Sequence, residues 1–437
     1  MPIGEPVILP WRYSIYTIRT KVEIFMNQQK NLSAPLTRPV DGTTGMEYSP
    51  VVNRTGGEGS RAWDVHGKAM GLAREGEDII FLSIGDPDFD TPSAIIEEAV
   101  HALRNGRTHY TDFAGMPELR AAIAARHNDL TGMNVTADQV VVLSGGQAAL
   151  FAAAMCVAGP GDEFIVPEPM YSTYMGVVGV SGADLVSLPL KRENNFHLDI
   201  NDLRAAITPK SRALLLNFPH NPTGAMLTRE EINGLAEVCR EHNLWVISDE
   251  VYASLTYGPE FLSPAIGEGM AERTVCVSSL SKSHAMPGWR LGWLVTPPGD
   301  MANHIMHIVQ CMLFGTPPFV MDAALVAVTN DFEEVDEMIA AYRERRELVV
   351  QRISEMPKIS CVEPEGGMFV MLDIRDSGLG AAEFANRLLE TVGVTMIPGT
   401  GFGEGGEGHL RMSLTASKEI LVEAMDRIER FVVGLNG

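Results

Sequence analysis

The hydrophobic positions of the chain follow two patterns that alternate along its middle part. Short runs that are apolar throughout predict buried β-strands, and longer segments with apolar residues at helical spacing predict helices. The strand-like runs lie at residues 78–83, 140–143, 163–166, 213–216, 244–247, 274–277 and 291–295. Helical segments are expected at 60–75, from Pro92, at 117–127, 147–157 and 230–242. This alternation predicts an α/β fold with a largely parallel sheet covered on both faces.

After residue 330 the pattern changes. A long helix at 331–356, a strand at 368–373, a helix from Ala381, a strand near Arg411 and a closing helix from Ser417 predict a separate α+β unit. Residues 1–45 have scattered prolines and no amphipathic repeat, so we expect either that they are a poorly ordered tail or that they are non-native, with Met46 as the natural start. The predicted divisions are 1–45 as the tail, 46–76 as part of a small domain, 77–330 as a large domain and 331–437 as the rest of the small domain.

Composition narrows the classes of partner. The 437 residues include 34 Lys and Arg against 56 Asp and Glu, a formal charge of −22, which disfavours nucleic acid and anionic membranes. No apolar run approaches the roughly 18 residues of a membrane span. The five cysteines are scattered without a Cys-x-x-Cys pair, which is typical of a reducing compartment, so we expect a cytoplasmic protein. His304 and His307 share a predicted helix face without a third ligand nearby, so no metal site is expected.

The segment 279–293 places a lysine at the end of a predicted strand. Lys282 lies between small hydroxyl residues, and Arg290 follows in the return segment. Desolvation and a nearby cation lower the pKa of a lysine, which suits a Schiff base with an aldehyde. Arg290 and Ser279 offer a guanidinium and a hydroxyl to a phosphate. Pyridoxal phosphate has both an aldehyde and a phosphate. The alternative is an ordinary solvent-exposed turn in which the lysine and the arginine form salt bridges.

Three further turns place polar residues directly after predicted strands. Residues 145–147 (Gly-Gly-Gln) open a helix, where backbone N–H groups bind anions. Asn221 begins an Asn-Pro-Thr-Gly turn, and Asp249 ends another apolar strand with Tyr252 three residues on. Each turn alone also fits an ordinary connection. Together they would gather at the carboxyl edge of a parallel sheet, where ligands bind in such folds.

These motifs carry a family resemblance. Ser-x-Ser-Lys followed by Gly-Trp-Arg-x-Gly is similar to the cofactor-lysine segment of the class I and II aminotransferases, the fold-type-I pyridoxal phosphate enzymes. The other turns match that family in identity and order from about Ser60 onward. The resemblance implies a large domain with a mostly parallel seven-stranded sheet between helices, and a small α+β domain. It also implies pyridoxal 5′-phosphate as cofactor, and a homodimer whose active sites are shared across the interface.

The resemblance also implies residue roles. Lys282 would hold the cofactor aldehyde as a Schiff base and later move a proton. Asp249 would pair with the pyridine nitrogen, while Tyr252 and Asn221 would bind the phenolic oxygen. The phosphate and ring contacts would come from Gly145, Gly146, Gln147, Ser279, Arg290, Tyr171 and, from the neighbouring subunit, Tyr110.

The same resemblance extends to the substrate. Arg411 matches the arginine that binds the substrate α-carboxylate, and Gly85 and Asn221 match residues that lie against the substrate. Stretches at 62–64, 281–286, 311–315 and 366–370 look most like arginine:pyruvate transaminases. By that likeness Trp63 would lie against a guanidinium and Asp64 or Asp112 would pair with it. The alternative is a Trp63 packed in the core, with both aspartates solvated.

The expected activity is therefore ping-pong transamination between an L-amino acid, best L-arginine, and a 2-oxo acid, best pyruvate. The stretch around Phe314 has no arginine for a distal carboxylate, which disfavours aspartate and glutamate as donors. An aromatic or aliphatic donor is the first alternative, and a β-lyase or decarboxylase the second. A third is the aminotransferase-like half of a transcriptional regulator, which would need a basic DNA-binding domain that the sequence does not supply.

Overall fold

The computed structural model describes residues 48–56 and 63–435, so the expectations for residues 1–45 lie outside those ranges. The strands of the described part are β1 (Ile80–Phe81), β2 (Val140–Leu143), β3 (Glu163–Glu168), β4 (Asp184–Pro189), β5 (Ser211–Asn217), β6 (Trp245–Asp249), β7 (Thr274–Ser279), β8 (Gly292–Val295), β9 (Ser360–Cys361), β10 (Phe369–Asp373), β11 (Val394–Thr395), β12 (Ile397–Pro398) and β13 (His409–Ser413).

The α-helices of the same ranges are α1 (Pro50–Thr55), α2 (Trp63–Glu75), α3 (Ser93–Arg104), α4 (Pro117–Thr131), α5 (Gly146–Val157), α6 (Tyr174–Ser181), α7 (Ile200–Ala206), α8 (Arg229–Glu241), α9 (Leu280–Ser283), α10 (Met301–Met312), α11 (Pro318–Thr329), α12 (Glu333–Ser354), α13 (Ala381–Val392) and α14 (Lys418–Gly434). Within these ranges no helix combines the length and apolar character that a bilayer crossing requires.

A seven-stranded sheet carries the site. Its order is β2-β8-β7-β6-β5-β3-β4, and every neighbouring pair is parallel except the two pairs that β8 makes. Alternate residues of each strand point to opposite faces, so Leu215 and Ile247 pack in the core that includes α5, while Leu214 and Val246 pack against α8. Burial on both faces explains why these strands are apolar throughout, and the predicted mostly parallel sheet is confirmed.

A second, four-stranded antiparallel sheet has the order β12-β13-β10-β9, and its core includes side chains of α12, α13 and α14. It pairs Met371 of β10 with Arg411 of β13. The strand predicted at 78–83 is only two residues long and pairs in parallel with β11 instead of joining the large sheet. The domain boundaries stay a prediction.

Candidate active site

Three neighbouring parallel strands end side by side at the site. β5 ends at Asn217, β6 at Asp249 and β7 at Ser279, and the register pairs Asn217 with Asp249. A cavity of about 150 Å³ lies at this edge. Because strands in a parallel sheet all end at the same edge, side chains far apart in sequence meet there.

Lys282 enters the cavity from α9, the short helix that follows β7. The hydroxyl of Ser279 caps this helix by accepting a hydrogen bond from the Ser281 N–H. Lys282 Nζ donates to the Gly85 carbonyl at 2.5 Å. Burial lowers the pKa of Lys282 to about 8; Asp86 opposes the change, and Arg411 and Arg290 add to it. About a tenth of this amine is therefore neutral at pH 7, far more than for an ordinary lysine, and the neutral form is the one that acts as a nucleophile or general base.

Asp249 is a buried carboxylate whose partners are neutral. Its Oδ2 accepts from the Tyr174 hydroxyl at 2.7 Å, and its Oδ1 from the Val251 N–H at 3.3 Å. Burial raises its pKa to about 6, against these hydrogen bonds. Among the described residues it forms no ion pair, so a protonated ring nitrogen would stabilise its ionised form.

Asn217 and Asn221 join the turn after β5 to Asp249. Asn217 Nδ2 donates to the Asp249 carbonyl at 2.9 Å, and Asn217 Oδ1 accepts from the Asn221 N–H at 2.9 Å. Asn221 Nδ2 in turn donates to the Tyr252 hydroxyl at 3.5 Å. Burial raises the pKa of Tyr252, so its hydroxyl stays protonated and can donate a hydrogen bond to an oxygen of a ligand.

The N-terminus of α5 and Arg290 form an anion-binding cradle. Gly145 is the residue before the helix and has a φ of 90°, in the region that favours glycine. A Cβ at Gly145 would lie 2.4 Å from Nη2 of Arg290, so the missing side chain lets the guanidinium approach the helix end. The free N–H groups of that end and the cation together suit a phosphate.

Arg411 lies buried between two aromatic rings. Its guanidinium carbon is 4.2 Å from the ring centre of Phe369 and 4.7 Å from that of Phe402. It donates to the Ser83 carbonyl at 2.7 Å and to Asn221 Oδ1 at 3.1 Å, while its Nε has no partner among the described residues. Burial lowers its pKa to about 10. Arg411 is thus a buried cation that has an unpaired donor and no carboxylate partner among the described residues. Such a group favours the binding of an anionic ligand.

The structure brings most of the predicted residues to one cavity. Those that line it are Gly146, Gln147, Tyr171, Asn221, Asp249, Tyr252, Ser279, Lys282 and Arg290. Gly145 lies beside Arg290, and Gly85 accepts from Lys282.

Five further predicted residues do not line the cavity. Arg411 contacts Asn221, which does line it. Trp63 is half-buried and packs against Ile397 and Phe402, Asp64 and Asp112 are exposed, and Tyr110 is 84% exposed.

Six lining residues were missed from the sequence: the polar Tyr174, Asn217 and Ser281, and the apolar Leu150, Val251 and Pro287. Tyr174 follows Tyr171 by three residues, and only the helical turn between them shows which hydroxyl reaches Asp249. Asn217 is the last residue of β5, the same position that Asp249 has in β6. That shared position after an apolar run was the available signal.

Comparison with known proteins agrees with this geometry. The profile of "Aminotransferase class I and II" matches residues 77–428. The arginine–pyruvate transaminase of Pseudomonas aeruginosa is 48% identical over 88% of this chain and 97% of its own. An aspartate aminotransferase of Pyrococcus horikoshii is 38% identical over 82% of this chain and 92% of its own. A mutant aspartate aminotransferase of Thermus thermophilus superposes with a TM-score of 0.83 at 34% identity, covering 88% of this chain and 99% of that structure.

The chain belongs to the class I and II aminotransferases. It is an aminotransferase, and the enzymes of this family use pyridoxal phosphate. Three features of the site fit that cofactor. Lys282 has an amine of lowered pKa, which suits the aldehyde, and Asp249 is a buried carboxylate that forms no ion pair among the described residues, which suits the ring nitrogen. Gly145 leaves space beside Arg290, which suits the phosphate.

Proposed function

We propose that this aminotransferase transfers the amino group of L-arginine to pyruvate. The observation that carries the proposal is the 48% identity to an arginine–pyruvate transaminase, over nearly the whole length of that enzyme. The position of Trp63 supports it, because Trp63 packs against Phe402, whose ring lies over Arg411. A donor whose α-carboxylate is bound by Arg411 would therefore extend its side chain near an aromatic surface that suits a guanidinium.

In this proposal the cofactor is held by the residues that meet in the cavity. Lys282 would hold it through Nζ, Asp249 would face its ring nitrogen, and Tyr171 would lie against its ring. Asn221 and Tyr252 would bind its phenolic oxygen. The phosphate contacts come from Gly145, Gly146, Gln147, Ser279 and Arg290.

The reaction then depends on where the chain holds the substrate and moves its proton. When bound, the cofactor withdraws electrons from the α-carbon of the amino acid. Arg411 binds the α-carboxylate with its guanidinium fork and fixes the α-carbon relative to Lys282. Once the donor's amino group has taken its place, the freed Nζ of Lys282 removes and holds the α-proton of the donor. In the second half-reaction it returns a proton to the α-carbon of the acceptor. The donor leaves as a 2-oxo acid before the acceptor binds, which gives ping-pong kinetics.

A half-reaction screen tests the donor. The holoenzyme is mixed with single amino acids while the absorbance of the bound cofactor is followed, and pyruvate is then added. Arginine should convert the cofactor fastest, and pyruvate should restore the original spectrum. Fast conversion by aspartate with slow conversion by arginine would contradict the proposal.

Two outcomes would support the alternatives instead. Fast conversion by phenylalanine or leucine would favour an aromatic or aliphatic donor. Release of ammonia with pyruvate from a β-substituted amino acid would favour a β-lyase.

Variants of the side-chain pocket sharpen the test. Changing Asp64 or Asp112 to Asn should lower kcat/KM for arginine by about 10-fold if that carboxylate pairs with the guanidinium. Alanine as donor supplies the control, since it has no distal charge and should be unaffected. Equal effects on both donors would place that aspartate outside the pocket.

We also propose a homodimer in which Tyr110 of one subunit reaches the phosphate of the other. Tyr110 is 84% exposed and Phe314 51% exposed, with their rings 5.1 Å apart, and Phe113 packs on Phe314 at 5.0 Å. Exposed aromatic clusters of this kind mark interfaces. Sedimentation equilibrium should give twice the chain mass, and Phe314→Asp should give the monomer with weaker cofactor binding. A wild-type monomer with full activity would overturn this proposal.

A further inference from the structure

The residues that hold Arg411 are themselves held by a second layer. Ser83 supplies the carbonyl that accepts from Arg411 Nη2, and Phe402 supplies one of the two rings that cover the guanidinium. The orientation of the guanidinium therefore depends on how firmly Ser83 and Phe402 are fixed.

Helix α2 contacts both of these residues from outside the cavity. Nδ1 of His66 and Oγ of Ser83 share a hydrogen bond of 2.8 Å. One helical turn earlier, Trp63 packs against Phe402 and meets the His66 ring edge to face at 5.8 Å between centres. Ser83 is fully buried, so loss of its partner would leave its hydroxyl unsatisfied and its main chain free to shift.

We propose that His66 is a positioning residue for the substrate carboxylate, acting through Ser83 on Arg411. The inference deepens the proposed function and rests on the proposed role of Arg411. His66 does not line the cavity, so it acts on the geometry of the carboxylate site and touches no reacting atom.

The chemistry of His66 predicts how the effect divides among the kinetic constants. Burial lowers the pKa of His66 to about 4, so the ring is neutral near pH 7 and changes no charge in the site. Donor and acceptor present the same carboxylate to Arg411. Looser binding of this group in ground and transition states raises KM and leaves kcat nearly unchanged. The preference among donors should stay constant, because it depends on the side chain.

The test compares His66→Leu, which removes the hydrogen bond, with His66→Asn, which can restore it. In the holoenzyme, His66→Leu should raise KM for donor and for pyruvate by a similar factor, about fivefold, with kcat within about twofold. His66→Asn should remain near wild type. Dissociation constants of propionate and 5-guanidinopentanoate, the amine-free analogues of alanine and arginine, should rise in parallel when measured from the cofactor absorbance.

A second variant covers loss of folding in the first. Ser83→Ala keeps the carbonyl and removes the hydroxyl, so it should reproduce the effect of His66→Leu, and the double variant should add nothing further. Arg411→Lys separates the two proposals. If it leaves both KM values unchanged, the proposed role of Arg411 fails. If Arg411→Lys raises both KM values while His66→Leu and Ser83→Ala raise neither, the inference about His66 is overturned. It is also overturned if His66→Leu and Ser83→Ala lower kcat and leave the KM values unchanged.

Discussion

Arg345 donates two parallel hydrogen bonds to Asp88, at 2.7 Å and 2.9 Å, and so joins the long helix α12 to the loop that faces Lys282. Arg345 is buried, its guanidinium also lies 5.1 Å from the Phe89 ring centre, and its Nη1 donates to the Leu414 carbonyl. The loop begins at Gly85, whose carbonyl accepts from Lys282 in the neighbouring part of the site. The ion pair between Arg345 and Asp88 thus connects helix α12 to the loop whose Gly85 carbonyl accepts the hydrogen bond from Lys282.

Replacing Arg345 with Met should lower the free energy of unfolding by about 2 kcal/mol, because it removes two charge-assisted hydrogen bonds to Asp88 and leaves the Leu414 carbonyl without this donor. Urea unfolding of the holoenzyme measures the change. Arg343→Met on the exposed side of the same helix is the matched control and should leave the unfolding midpoint unchanged. Equal effects of the two substitutions would show that the Asp88 pair contributes nothing specific.

Gly145→Ala should weaken cofactor binding about 10-fold without unfolding the protein. The new Cβ would meet the end of the flexible Arg290 side chain, which can move aside but then leaves the anion cradle, and a φ of 90° adds strain of roughly 1 kcal/mol. Equilibrium dialysis of the cofactor gives the affinity. Gly67→Ala, a helical position with nothing within 4 Å of the added carbon, serves as the control. An unchanged dissociation constant for Gly145→Ala would rule out the cradle.

The buried strands of the large sheet were predictable because both of their faces are covered. The run 213–216 is apolar in every position, which is typical of a short strand buried on both faces. Strand β4 at the sheet edge was missed, since its exposed positions leave no apolar run. Helix α11 was missed for the opposite reason: it is apolar on nearly all sides, and no polar face reveals the helical period.

The residues of the site were predictable where they follow strands directly. Lys282 and Asp249 could be placed from the sequence because the end of a parallel strand fixes their location. Tyr174, which hydrogen-bonds Asp249, could not, because its position depends on the turn of α6 and the packing of that helix on α5. His66 was also missed, because nothing in the sequence indicates that its segment packs against the segment of Ser83.

Glu250 should make the protein less stable as the pH rises. It is buried, accepts from Ser263 at 2.6 Å and from Ser248 at 2.9 Å, and burial raises its pKa from 4.5 to about 7, with Asp249 adding to the shift. The folded state therefore binds the proton more tightly than the unfolded state, and this stabilisation is complete below pH 4.5 and lost as the pH rises through 7. Between these limits the loss is on the order of 2–3 kcal/mol.

Glu250→Gln should abolish that loss, because the amide stays neutral. Urea unfolding at pH 5 and pH 8 gives the comparison. The free energy of unfolding of the variant, relative to that of the wild type, should be higher at pH 8 than at pH 5. Exposed Glu272→Gln is the control and should follow the wild type at both values. If Glu250→Gln also follows the wild type at both, the buried carboxyl does not titrate in this range.

Asp86 should set the pH at which the enzyme takes up its cofactor. Only the neutral amine of Lys282 can bond to an aldehyde, and its pKa of about 8 means that the protonated form prevails at lower pH. The rate of cofactor uptake by the apoenzyme should therefore rise with pH and level off above about 8. The charge of Asp86 raises the pKa of Lys282, so Asp86→Asn should move this midpoint to lower pH. Stopped-flow absorbance from pH 6 to pH 10 measures the midpoint, with Asp129→Asn as an exposed control that should not move it. A midpoint near 10 in the wild type would mean that the lysine is not desolvated, and a midpoint unmoved by Asp86→Asn would mean that the carboxylate does not act on it.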